Sequence, residues 1–145
     1  MHEVTSRLER MGCINHDIRL AAAMTGPSCD RLLALRADFS FEANQLLGQL
    51  TGKLLETEQA RLASRILDAF VSMQKVILRH QQDWPFAEVE RDPDGYVAGA
   101  RQVQSAVIGF LEDALDEVDE AARAARGRQA EPAALPAPIR RTGSR

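Results

Sequence analysis

The side chain with the clearest chemical potential is His16, which is followed directly by the carboxylate of Asp17. A solvent-exposed imidazole can accept a phosphoryl group, and an adjacent carboxylate increases its strength as a nucleophile. The apolar residues around it recur at Leu8, Met11 and Ile18, so a helix would place them on one face and His16 outside that face. The spacing therefore predicts an exposed histidine with an acidic neighbour.

The segment from Leu8 to Arg19 resembles the phosphoacceptor helix of bacterial histidine kinases, in which the histidine is followed by an acidic, an aliphatic and a basic residue. The resemblance implies that His16 is a phosphoacceptor in a phosphotransfer or signalling protein. It covers about twelve of the 145 residues, Leu20 stands where the kinase motif usually has proline, and no ATP-binding domain follows. The alternative is that His16 is an ordinary residue of a polar helix face.

A second group of candidate residues is an acidic row near the end of the last predicted helix. Its members are Glu112, Asp113, Asp116, Glu117, Asp119 and Glu120. Spacings of three and four residues place them on two adjacent helix faces, where like charges repel by roughly 0.2–0.5 kcal/mol per pair. Such a surface could bind a basic protein partner or the chain's own arginine-containing tail. Alternatively, it is only a solvated helix face.

Basic side chains of the third predicted helix form another group, comprising Arg61, Arg65, Lys75 and Arg79. Arginines that converge inside a bundle could bind a small anion, as a small all-helical enzyme or anion-binding bundle would require. Alternatively, they lie at the rim of the bundle with their stems over apolar residues, and Glu58 pairs with Arg61 or Arg65.

The predicted loop that starts at Trp84-Pro85-Phe86 contains two aromatic residues, Trp84 and Phe86. They either cap one end of the bundle or bind a partner, since Trp is enriched at the energetic centres of interfaces. We therefore include Trp84 and Phe86, together with the acidic row, among the candidate partner-binding residues.

Motifs that would name a reaction are missing. There is no phosphate-binding loop, no dinucleotide fingerprint and no G-x-S-x-G nucleophile motif. The three histidines, His2, His16 and His80, are far apart, and neither Glu-x-x-His pairs nor zinc-type cysteine spacings occur. We therefore expect no cofactor and no bound metal, and two free cysteines.

Composition sets the class of the protein. Hydrophobic residues make up 45% and charged residues 27%, which is typical of a soluble globular domain. No apolar run reaches the roughly 18 residues of a membrane span, and a secretion signal is missing, so we expect a cytoplasmic protein without a membrane partner. The net charge of −3 argues against nucleic acid as a partner. The excess of Arg over Lys, with abundant Ala, suggests a bacterial source.

Helices with apolar rows must position these groups. The first is predicted over His2 to Met24 and is stopped by Thr25-Gly26-Pro27. Ser28 is the expected N-cap of the second helix, which runs to about Thr51. Its apolar row is Leu32, Leu35, Phe39, Ala43, Leu46 and Leu50.

The third helix is predicted from about Thr57, or from near Lys53, to between His80 and Asp83, with glycines favouring a turn before it over one long bent helix. A loop of about ten residues follows. Asp92 and Pro93 are then predicted to be the N-cap and the first residue of the last helix. We expect that helix to reach about Arg126 and to stop at Gly127.

The sequence thus predicts an all-α bundle of about four amphipathic helices over residues 1–126. Residues 127–145 are rich in Pro, Ala and Arg and are predicted to form a disordered tail. The missing motifs favour a non-enzymatic adaptor, chaperone or regulator that binds another protein. The wide apolar surface also favours a homodimer. Phosphotransfer through His16 and an arginine-based enzyme or anion site are the alternatives.

Overall fold

A computed structural model of the chain describes residues 1–24 and 29–130, and helices dominate both segments. Four helices are long: α1 (His2–Ala23), α2 (Cys29–Thr51), α3 (Ala60–Asp83) and α5 (Pro93–Ala130). A 3-10 helix, Lys53–Glu56, precedes α3, and a short helix α4, Phe86–Arg91, precedes α5. No strand occurs in the described segments. The predicted all-α bundle is confirmed.

The bundle forms because each long helix has an apolar row facing its neighbours. α1 packs against α2 and α5, while α3 packs against α5 and less extensively against α2. All six residues of the row predicted on α2 are buried. The main core joins all four long helices through Leu8, Met11, Leu46, Leu50, Ile66, Phe70, Phe110 and Leu111, among others.

A polar contact also joins α1 and α2. Arg7 forms an ion pair with Glu42, and these side chains are only 14% and 12% exposed. The Arg7 Nε group donates a second hydrogen bond, of 3.0 Å, to Gln49 Oε1. Charged hydrogen bonds between largely buried partners are stronger than exposed pairs. This contact fixes the register between α1 and α2 outside the apolar row.

The break between α2 and α3 confirms two separate helices. α2 ends at Thr51, as predicted, but α3 begins at Ala60 and not at Thr57. The Thr57 hydroxyl accepts a 3.1 Å hydrogen bond from the Gln59 N–H and donates to the Leu54 carbonyl. Thr57 therefore closes a turn after the 3-10 helix and does not cap α3.

The start of α5 matches the prediction. Pro93 is its first residue, and Asp92 Oδ1 accepts a 3.0 Å hydrogen bond from the Gly95 N–H. Two other expectations were wrong. The ten-residue loop contains α4, and α5 continues through Gly127 to Ala130. A mid-helix glycine costs about 1 kcal/mol, which the surrounding Ala, Arg and Gln can offset because they are strong helix formers.

Several expectations fall on residues outside the described segments. These are the stop at Thr25-Gly26-Pro27, the N-cap at Ser28 and the state of the tail after Ala130.

Truncation of Phe70 tests where the bundle derives its stability. Phe70 is 1% exposed and packs edge-on against Phe110, with ring centroids 5.8 Å apart. We expect Phe70→Ala to lower the free energy of unfolding by about 3–5 kcal/mol. Phe41→Ala is the matched control, because Phe41 is 61% exposed, and should cost less than about 1 kcal/mol. Urea denaturation measures both, and equal losses would contradict this core.

Candidate functional site

A cavity of about 60 Å³ lies among the four long helices. Its apolar lining comes from every one of them and includes Ile18, Phe39, Ile77, Val103 and Val107. Phe39 and Val107 belong to the main core, whereas Tyr96, on the other side of the cavity, belongs to a second apolar cluster. That second cluster joins Ala21, Leu32, Leu35, Val89 and Tyr96. The cavity therefore lies between two apolar layers.

Polar side chains enter the cavity from the same four helices. They include Asn15, Arg36, Ser40, His80, Tyr96 and Gln104. Asn15 is only 5% exposed and is the buried polar residue of the described segments. It lies on α1 between Met11 and Ile18, at the spacing of the apolar row.

Two of these side chains, those of Arg36 and His80, lie against the ring of Tyr96. The Arg36 guanidinium carbon lies 5.3 Å from the Tyr96 ring centroid, within the range of a cation–π contact. The His80 ring centroid lies 5.2 Å from the same ring. A cation from α2 and an imidazole from α3 thus meet at one aromatic ring of α5.

The environment of His80 disfavours its charged form. Burial lowers the pKa of His80 from its ordinary value of 6.5, the Arg36 charge lowers it further, and the Asp83 carboxylate opposes both. The Nε2 atom is buried and has no hydrogen-bond partner among the described residues. A neutral imidazole in this position can donate or accept one hydrogen bond through Nε2.

Glycines on α5 allow Trp84 and His80 to approach closely. A Cβ added at Gly95 would lie 2.8 Å from Trp84 Cη2, and one at Gly99 would lie 3.0 Å from Trp84 Nε1 and 3.3 Å from His80 Cε1. Trp84 also packs edge-on against Tyr96, with centroids 6.1 Å apart. Trp84 is half-buried, whereas Phe86 is 56% exposed. Trp84 therefore closes this end of the bundle, and Phe86 faces solvent.

The acidic row lies on α5 as the spacing predicted. Glu117 is partly buried, and the other five side chains are exposed. Asp113, Glu117 and Glu120 border a shallow groove with Arg65 on α3. Arg65 Nε is 3.8 Å from Glu117 Oε2, so this arginine lies beside Glu117, whereas the sequence suggested Glu58. The side chain of Arg65 partly neutralises one of the two acidic faces.

The basic residues predicted on α3 do not converge inside the bundle. Arg61 and Arg65 are exposed, and Lys75 and Arg79 border an outer groove between α3 and α5. The arginine that does line the cavity is Arg36, which the sequence reasoning missed. The sequence feature that could have indicated Arg36 is its position directly after Leu35, a member of the apolar row predicted on α2.

His16 and Asp17 are both exposed on α1, as predicted. Within the described residues, no three His, Cys, Asp or Glu side chains are grouped so that they could hold a metal ion. No helix of the described segments is long and apolar enough to cross a membrane. Comparison with known proteins gave no matching family model, no similar curated protein and no similar solved structure.

The lowered pKa of His80 predicts a pH-dependent component of stability. As the pH falls below 6.5, the unfolded chain binds the proton more readily than the folded protein, so the free energy of unfolding decreases. It levels off once the pH is below the pKa of the folded state. In His80→Gln this component is missing.

Urea denaturation between about pH 8 and pH 5 measures this effect. His16→Gln serves as the comparison, because it removes a solvent-exposed histidine. A His80→Gln variant with the pH dependence of the wild type would contradict the assignment.

Proposed function

We propose that this chain is a non-enzymatic helical-bundle protein that acts by binding another protein, as an adaptor, chaperone or regulator. The observation that supports it is a pair of exposed apolar side chains, Val71 and Leu78, on the side of α3 that is directed towards α2. This side of α3 is called the α2–α3 face below.

The α2–α3 face follows the helical repeat of α3. Leu67, Val71, Gln74, Leu78 and Gln81 are spaced by four and three residues, so they share one side of the helix. Val71 is 44% and Leu78 is 53% exposed. Gln81 borders a shallow groove with Leu33 and Ala37 of α2, so this side of α3 is directed towards α2.

Other exposed apolar side chains extend the available surface. Phe86 of α4 borders the same groove as Gln81, and Phe41 of α2 is exposed. Apolar side chains spaced by seven residues on one helix face, as Val71 and Leu78 are, can anchor the apolar face of a partner helix. The exposed part of the acidic row adds a negative field, which favours a partner with basic residues. The expected partner segment is therefore an amphipathic, basic helix.

Charges introduced into the α2–α3 face test the proposal. In Val71→Glu/Leu78→Glu, we expect recovery of the specific partner from a lysate of the source cells to fall at least about tenfold, because burying two carboxylates opposes docking. Leu20→Glu is the matched control, since Leu20 is 55% exposed but lies on α1. Quantitative mass spectrometry of the captured proteins measures the effect.

Two further measurements make the outcome decisive. Circular dichroism must show that the double variant remains folded, and the mass in solution reports whether the captured protein is a second copy of the chain. Neutralising Asp116 and Asp119 should weaken binding at low salt and much less at high salt. A set of captured proteins that is the same for wild type and the double variant would contradict the proposal.

A second candidate function is phosphotransfer through His16, because the structure leaves both His16 and Asp17 accessible. In such a reaction an imidazole nitrogen attacks phosphorus, the bond from phosphorus to the donor's leaving group breaks, and the ring loses its proton. Asp17 would increase the nucleophilicity of the ring.

Chemical phosphorylation with phosphoramidate tests this role of Asp17, with ammonia as the leaving group. His2 is also exposed and provides an internal reference within the same molecule. We expect His16 to react several-fold faster than His2 and to lose that advantage in Asp17→Asn. ³¹P NMR with His2→Gln and His16→Gln variants assigns the signals. Equal rates at the two histidines would contradict an activated His16.

A further inference from the structure

We propose that the outer groove between α3 and α5, bordered by Lys75, Arg79, Trp84 and Gly99, is a binding site for a phosphate monoester with a ring-sized apolar group. Lys75 and Arg79 would bind the phosphate, and the apolar group would lie against the walls of the groove. This site is independent of partner binding at the α2–α3 face. It rests on the size, the charge and the hydrogen-bonding groups of the groove.

The groove has the size of a small-molecule site. Its volume is about 510 Å³, within the roughly 300–1,000 Å³ that is typical of ligand sites. The interior cavity beside Asn15 has only about 60 Å³, whereas benzene occupies a cavity of about 150 Å³. The half-buried side chains of Val76 and Val103 give the groove apolar walls. A ring and a phosphate therefore fit together in the groove and not in the interior.

The charge of the groove favours an anion with more than one negative charge. Lys75 and Arg79 are four residues apart on α3, so their Cβ atoms lie about 5–6 Å apart on one helix face. None of the ion pairs within the described segments involves either residue. Asp83 borders the groove one turn further along α3 and is outnumbered by the two cations. A phosphate monoester carries about −1.5 to −2 charges at neutral pH, and its three terminal oxygens can contact both cations.

Nitrogen atoms of two aromatic rings meet at Gly99. A Cβ added at this glycine would lie 3.0 Å from Trp84 Nε1 and 3.6 Å from His80 Nδ1, so the missing side chain leaves both nitrogens uncovered on this side. The indole N–H can only donate a hydrogen bond, and a neutral imidazole can donate from Nδ1 in one of its tautomers. A ligand at this position must therefore offer acceptors, as the oxygens of a phosphate do.

Fluorescence titration of the full chain with benzyl phosphate tests the proposal. Trp84 is the only tryptophan of the sequence, so its emission reports on this groove without a label. We expect a saturable change with a dissociation constant of about 1 mM, which is reasonable for so few non-hydrogen atoms. Benzyl alcohol has the ring without the phosphate, and inorganic phosphate has the charge without the ring. Each should bind at least about tenfold more weakly than benzyl phosphate.

Charge variants distinguish this groove from the rest of the surface. Lys75→Gln/Arg79→Gln should weaken the binding of benzyl phosphate at least about tenfold. Arg61→Gln is the matched control, because Arg61 is also an exposed arginine of α3 but does not border the groove. Asp83→Asn removes the competing carboxylate and should strengthen binding about two- to threefold at low salt. Loss of folding cannot produce such a gain, and circular dichroism shows whether each variant is folded.

Glycine variants test the position of the ligand. Gly99→Ala should weaken binding at least about fivefold, because the new methyl group would cover Trp84 Nε1. Gly109→Ala is the control on α5, since a Cβ there meets nothing within 4 Å. An emission of Trp84 without a saturable change, or an unchanged affinity of the lysine–arginine double variant, would overturn the proposal. Benzyl alcohol or inorganic phosphate binding as tightly as benzyl phosphate would also overturn it.

Discussion

Four apolar rows that face one another hold this bundle together. These rows are uninterrupted only over part of the bundle's length. From Leu50 to Phe39 on α2, the inward positions are apolar and buried against the other long helices. Beyond that level, Asn15, Arg36 and His80 occupy positions at or beside the inward row. The apolar packing resumes around Leu35, Val89 and Tyr96, where α4 covers the end of the bundle. The division of the core into two layers follows from these polar side chains.

Much of the architecture could be predicted because the signals are local. The row on α2 and the start of α5 at Asp92 and Pro93 depend on residues within one or two helical turns, and both are confirmed. The glycine at position 52 also correctly indicated a break before α3. Helix ends were less accurate. Whether Gly127 stops a helix depends on a small difference in free energy between continuing and fraying, and the residue type alone does not decide it.

The candidate site could not be assembled in the same way, because its parts are distant in sequence. Asn15, Arg36, His80 and Tyr96 come from four helices, and their meeting depends on the order of the helices around the bundle. The spacing alone does indicate that two of these residues point inwards. His80 comes three residues after Ile77 in the apolar row of α3, and Asn15 comes four residues after Met11 in the apolar row of α1. The glycine at 99 has a reason only once Trp84 and His80 lie against it, whereas at Gly95 the nearby Asp92 carboxylate already leaves no room for a Cβ. The pair Arg7–Glu42 spans α1 and α2 and has no sequence signature at all.

The interior cavity and the α2–α3 face share a boundary. Arg36, Ser40 and Gln81 line both the interior cavity and the shallow groove that runs between α2 and the start of α4. A partner helix on the α2–α3 face would therefore lie close to the opening of the cavity. Because α2 packs less extensively against α3 than against α1, these shared side chains are what separates the cavity from the surface on this side of the bundle.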